Sequence, residues 1–225
     1  HVVNDLAIGT DNTVIASGTF NIAGGTASGG IAFYAPSSNT WGTTTNGTAS
    51  PWVRTLALAP NGTLYFGGNF TSYAGTASGS LGYYAGGSFG SFTGYPGGGQ
   101  VWNLLYNSTG SLFIVGEFTT IKGTTSPRIG IWNGAAFGSL VGQAGGTVDG
   151  PLYAVTEAYD LSIIFGGGFG SAGGTAMNNI GRWQNNTFGS MSSGLLGQGG
   201  ATLVDALVRM PDGKIAIGGN FSTVG

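Results

Sequence analysis

The sequence has no cysteine, and its single histidine is His1. Disulfides and thiolate metal sites are therefore excluded. Cysteine nucleophiles, Ser-His-Asp triads and multi-histidine metal centres cannot be assembled from what remains. Charge is scarce too. Six Lys+Arg and eight Asp+Glu make up 6% of 225 residues, against about 25% in ordinary domains. A formal charge of −2 leaves no basic footprint, so nucleic acid is not an expected partner. No apolar run approaches the roughly 20 residues that span a bilayer, and membrane insertion is not expected. No positively charged n-region of the signal-peptide kind opens the chain.

Glycine is what the chain has in excess, with 47 residues of 225 against a usual share of about 7%. Disordered chains are poor in aromatic and β-branched residues; this one is 12% aromatic and 41% hydrophobic, enough to build a core. It has no strict G-x-y period, which excludes collagen. With so few charges, Ser, Thr, Asn and Gly must cover the surface.

Internal repetition dominates the pattern. A glycine-then-Phe signature ends at Phe20, Phe70, Phe118, Phe169 and Phe221, at intervals of 48 to 52 residues. This period suits a four-stranded propeller blade. Other columns keep step with it. Seventeen residues before the Phe stand Val3, Val53, Val101, Leu152 and Val204; fourteen before it stand Leu6, Leu56, Leu104, Val155 and Leu207. Nine before it come the turn residues Asp11, Asn61, Thr109, Asp160 and Asp212, which reverse the chain between two strands. Fourteen after it come Tyr34, Tyr84, Trp132 and Trp183, followed by Trp41, Phe89, Phe137 and Phe188.

Each unit reads as four short strands. The first is VNDLAI, VRTLALA or VDALVRM, and the second LYFGG or IAIGG. The third is GIAFY, LGYY, IGIW or IGRW, and the fourth begins near the later aromatic. Turn signals every 8–12 residues between such runs predict an all-β chain. The expected architecture is one β-propeller domain over 1–225, with repeats near 1–51, 52–100, 101–150 and 151–202 and a half repeat at 203–225. About five blades are expected, the last incomplete in this chain. Open strand edges are rarely tolerated. The missing half blade implies either a fragment of a longer chain or strands donated by a neighbour.

The first copy, with Phe33-Tyr34-Ala35-Pro36-Ser37-Ser38-Asn39-Thr40-Trp41, resembles the kelch family of propeller repeats. The last copy is similar to the bacterial delta-sixty repeat, with Val204-Asp205-Ala206-Leu207, Pro211-Asp212-Gly213-Lys214 and Gly218-Gly219-Asn220-Phe221. The resemblance covers all five copies. It implies a scaffold or adhesin in a large secreted, cell-surface or virion protein, partnered by other subunits of such an assembly. The copper oxidase built on kelch blades needs a Cys that this chain lacks, so that activity is not carried over. Phage tail and surface fibres share the Gly/Ser/Thr/Asn-rich, cysteine-free style. Scarce charge suits a protein that packs into an assembly.

One column departs from the repeat. Sixteen residues before the Phe stand Asn4, Arg54, Trp102, Tyr153 and Asp205. The inner strand of a propeller lines its channel, so Arg54, Trp102, Tyr153 and Asp205 are candidate ligand-binding residues for a small polar molecule or sugar. The other reading is that this column merely fills the channel entrance. Sequons stand at Asn46, Asn61, Asn69, Asn107, Asn185 and Asn220. Asn46, Asn61, Asn107 and Asn185 are the candidate glycosylation sites, although a chain rich in Asn, Ser and Thr generates such triplets by composition. Asp11, Asp160 and Asp212 are explained by turn chemistry, and no metal is expected. Glu117 and Glu157 are the only glutamates, and their spacing identifies no acid–base pair. Gly67-Gly68 and Gly218-Gly219 precede no helix, so they are read as points of close backbone approach, not phosphate loops. No catalytic residue and no cofactor is expected. The function expected is a non-enzymatic extracellular or virion-surface scaffold or adhesion module, with a carbohydrate-binding lectin as the alternative.

Overall fold

The computed structural model describes residues 2–43, 52–92, 96–125, 128–140, 147–197 and 202–225, and every regular element among them is a strand. Four antiparallel four-stranded sheets follow one another along the chain. The first pairs Val3–Ile8, Val14–Gly18, Ile31–Ala35 and Thr40–Thr43 in that order. The second uses Trp52–Leu58, Leu64–Asn69, Leu81–Ala85 and Ser88–Ser91; the third uses Val101–Tyr106, Leu112–Gly116, Ile129–Trp132 and Phe137–Ser139. The fourth uses Leu152–Glu157, Ile163–Gly167, Ile180–Gln184 and Thr187–Ser190, and a fifth unit contributes the hairpin Leu203–Arg209 with Ile215–Asn220. The five innermost strands stand side by side in chain order.

Local chemistry explains each reversal. The innermost hairpin always turns on a left-handed residue: Asn12, Gly62, Gly110, Leu161 and Gly213, with φ of 65°, 83°, 87°, 65° and 91°. The preceding Asp or Asn side chain accepts the amide hydrogen two residues on, as Asp11 does from Thr13 at 3.0 Å and Asp160 from Ser162 at 3.1 Å. This is the Asx turn expected of such residues. In the third unit, where Thr109 takes the column, Asn107 accepts from the Ser111 amide instead at 2.8 Å.

Between the second and third strands lies a two-stranded ribbon in each of the first four units, such as Ser72–Tyr73 with Thr76–Ala77. Its two central residues have positive φ, as at Gly24-Gly25, Ala74-Gly75, Lys122-Gly123 and Gly173-Gly174. That is the type I′ geometry matched to strand twist.

The two aromatic columns meet across the third and fourth strands of every sheet. Tyr34 faces Trp41, Tyr84 faces Phe89, Trp132 faces Phe137 and Trp183 faces Phe188, with centroids 4.7–5.1 Å apart. The main cores lie between successive sheets. Ile15 and Ile31 of the first pack with Val53, Leu56 and Phe66 of the second. The Phe column closes these layers, with Phe20, Phe70, Phe118 and Phe169 all buried. Position in the arc decides exposure. Leu56, Leu104 and Val155 sit under a preceding sheet at 6–8% exposure, whereas Leu6 in the same column has none over it among the described residues and is 59% exposed.

The glycine pairs are points of close approach. A Cβ on Gly18, Gly68, Gly116, Gly167 or Gly219 would collide with the carbonyl oxygen of Val2, Trp52, Gln100, Pro151 or Leu203 respectively. That carbonyl precedes the innermost strand's irregular column in each case. Only a residue without a side chain fits there.

Candidate functional site at the channel mouth

All five innermost strands slip register at one place: Val3/Asp5, Val53/Thr55, Val101/Asn103, Leu152/Ala154 and Val204/Ala206. The residue left out of the ladder is Asn4, Arg54, Trp102, Tyr153 or Asp205. The cause is legible in the columns. The Val and Leu columns stand three residues apart, yet both are buried in the same inter-sheet core, as Val53 and Leu56 are. A strand alternates faces with a period of two, so this spacing requires one extra residue, a β-bulge. The bulge re-aims the extra side chain away from the core.

Those five side chains line a single cavity of about 530 Å³, with Asp5, Thr55, Asn103 and Leu203 beside them. The structure thus brings Arg54, Trp102, Tyr153 and Asp205 together, and Asn4 with them. The Arg54 guanidinium carbon lies 3.8 Å from the Trp102 ring centroid. Trp102 meets Tyr153 edge-to-face at 5.1 Å. Burial lowers the Arg54 pKa from its ordinary value, partly opposed by the negative charge of Glu117. Burial likewise raises the Tyr153 phenol, assisted by the charges of Glu117 and Asp205. Arg54 Nε and Trp102 Nε1 are buried and have no hydrogen-bond partner among the described residues. Unpaired buried donors are costly and uncommon in finished interiors.

The neighbouring column, one residue further on, was not singled out by the sequence pattern, and it ties the wall together. Asp5 Oδ2 accepts from the Leu56 amide at 2.8 Å, and Thr55 Oγ1 from the Leu104 amide at 3.1 Å. Asn4 Nδ2 donates to the Val53 carbonyl at 2.9 Å. Burial raises the Asp5 pKa above 3.8 despite the amide hydrogen bonds from Leu56 and Leu6.

Other candidates lie apart. Asn46 falls outside the described residues. Asn61 and Asn185 are exposed at turns. Asn107 is 8% exposed, and its Nδ2 donates to Thr109 at 2.8 Å, so a glycan on that nitrogen requires the turn to open. Glu117 accepts from Gln100 Nε2 at 3.0 Å, while Glu157 accepts from the Ser108 amide and hydroxyl at 3.0 and 2.8 Å. The two glutamates sit at opposite ends of the blade strands with separate partners. Among the described residues, no three His, Cys, Asp or Glu side chains gather in a metal-binding group.

No protein-family model matches the sequence, and no curated protein matches it. Solved structures do resemble the fold. The extracellular domain of a hybrid two component system protein from B. thetaiotaomicron matches with a TM-score of 0.62 at 15% identity, over 96% of this chain and 25% of that one. A catalytically inactive virginiamycin B lyase from Staphylococcus aureus, solved with Quinupristin, matches at 0.59 and 13% identity, over 96% and 62%. PorZ, an essential surface component of the type-IX secretion system of Porphyromonas gingivalis, matches at 0.58 and 10% identity, over 96% and 31%. The fold is a β-propeller. The chain spans less than two thirds of each of these structures, and at such identities the likeness is one of fold. The described propeller blades number four full sheets and one hairpin, and the cavity is the mouth of the propeller channel.

Proposed function

We propose that this propeller, of kelch or delta-sixty type, is a non-enzymatic extracellular interaction module on a cell or virion surface, and that it binds its ligand at the channel mouth. The observation that carries this reading is the convergence of five chemically different bulged residues on one cavity. A column kept only to plug a channel needs bulk, whereas Arg54, Trp102, Tyr153 and Asp205 supply aromatic faces, a cation and hydrogen-bonding groups. That mixture suits a sugar or another small polar ligand. An extracellular setting accords with the sources of the similar structures, an extracellular domain and a bacterial surface component. The non-enzymatic reading is supported by the residues. The inactive lyase carries a His-to-Ala change, and the only histidine here is His1. Both glutamates are committed to structural hydrogen bonds.

The test is a glycan array probed with the wild-type chain and with Trp102→Ala. The expected result is a small set of glycans bound by the wild type, competed by free sugar and lost in the variant. Binding that survives Trp102→Ala moves the ligand elsewhere on the propeller.

A further inference from the structure

We infer that the ligand of the channel mouth is anchored by a carboxylate, as in an acidic saccharide. This rests on the ligand-binding reading above and adds the chemistry of the anchor. Arg54 makes no salt bridge among the described residues, where the ion pairs are Arg182 with Asp160 and Lys214 with Asp212. Both of those pairs are largely exposed, at positions where an ion pair contributes little. Arg54 is the reverse case, a half-buried cation lining a cavity and stacked on Trp102, which feels the charge of Glu117 but has no carboxylate within ion-pair distance among the described residues. A partly desolvated charge is stabilised chiefly by an opposite charge with directed hydrogen bonds.

The stack also sets the direction of approach. With Trp102 against one face of the guanidinium, its opposite face and its N–H edge remain for a ligand. A planar fork of N–H donors matches a carboxylate in bidentate fashion. Arg54 Nε and Trp102 Nε1 are buried without hydrogen-bond partners among the described residues, which leaves the terminal Nη groups of Arg54 as the donors a ligand meets. The remaining walls argue against a bare or doubly charged anion. Asp5 and Asp205 line the same cavity and would repel a dianion, while their oxygens accept hydrogen bonds from hydroxyls. Asn4, Asn103 and the Tyr153 hydroxyl supply further donors and acceptors. One anchoring carboxylate on a polyhydroxylated body meets all of these demands. The cavity of about 530 Å³ lies within the roughly 300–1,000 Å³ usual for small-molecule sites.

The experiment is an array carrying uronate- and sialate-terminated glycans, their methyl esters, sulfated glycans and neutral glycans. It is probed with wild type, Arg54→Gln, Arg54→Lys and Trp102→Ala, each confirmed folded by circular dichroism and thermal melting. Carboxylated glycans should bind, and their methyl esters should bind roughly tenfold to hundredfold more weakly. Arg54→Gln should show the same loss, with Arg54→Lys between. Preferential binding of sulfated glycans overturns the carboxylate. Neutral glycans bound as well as acidic ones, with sensitivity to Trp102→Ala but not to Arg54→Gln, overturn this inference and leave the ligand site standing. No binding to any glycan overturns both.

Discussion

The Arg54 guanidinium carbon lies 3.8 Å from the centre of the Trp102 ring, joining the innermost strands of two neighbouring blades. The same carbon is 5.6 Å from Trp52 on its own strand. A cation on a tryptophan face contributes about 1 kcal/mol at partly buried sites. Lysine keeps the charge and loses the planar contact. Arg54→Lys is therefore expected to lower unfolding free energy by about 1 kcal/mol in urea titrations. An unchanged midpoint would mean the stack contributes nothing to the fold.

Leu161 occupies the turn position held by glycine or asparagine in the other four copies, with φ of 65° and 56% exposure. A left-handed β-carbon costs roughly 1–2 kcal/mol, and an exposed Leu recovers little by burial. Leu161→Gly is expected to raise stability by about 1 kcal/mol. A lower melting temperature would show that the side chain makes a contact that outweighs the backbone strain.

Two glycines should respond in opposite directions. Gly68→Ala drives a methyl group into the Trp52 carbonyl, and overpacking of this kind costs about 1–3 kcal/mol. Gly189, in the outermost strand of the fourth blade, has open space where its Cβ would stand. Gly189→Ala should be neutral or stabilising by up to about 1 kcal/mol. Equal melting temperatures for the two variants would contradict the close-approach account.

Thr55 is 2% exposed and accepts from the Leu104 amide of the next blade. Thr55→Val preserves the shape and leaves that amide unpaired, at a cost of about 1–3 kcal/mol. Hydrogen exchange offers a direct readout, because the Leu104 amide should lose protection in the variant.

Asp5 ionises less readily in the folded protein, since burial raises its pKa from 3.8. The folded state therefore holds this proton more tightly than the unfolded chain does. The stability due to this group is fully present below pH 3.8, falls as pH rises through the folded value, and is absent above it. Subtracting the melting temperature of Asp5→Asn from that of the wild type isolates this titration. The difference should decline from pH 4 to pH 7, and a rise over that range would reverse the assigned sign.

The blades were readable because each repeats its chemistry in fixed columns. Five copies of the Phe and the turn residues and four of the paired aromatics leave little choice of strand order. The channel column was visible as an exception, since Arg54, Trp102 and Asp205 stood where neighbouring columns were apolar. What made it an exception was harder to see. The three-residue separation of Val53 from Leu56 already required a bulge, but that follows only once both are known to enter one core. The ribbons at Gly24-Gly25 and Gly173-Gly174 carry a plain type I′ glycine signal between the second and third strands. Contacts between units, such as Thr55 to Leu104 or Arg54 to Trp102, join residues 48 or 49 positions apart, and no local pattern encodes them.

The bulge also separates two kinds of inheritance. Because the extra residue takes no part in the ladder, its identity is nearly free of the demands that hold its neighbours to Val, Leu and Gly. Asn, Arg, Trp, Tyr and Asp all occupy it on one scaffold. Each copy of the repeat therefore carries one replaceable letter, coupled to its neighbours by contacts such as Arg54 on Trp102 and Trp102 on Tyr153, and the five letters together spell the channel mouth. A lineage could respell that word one substitution at a time, changing what the propeller recognises while the blades persist unaltered.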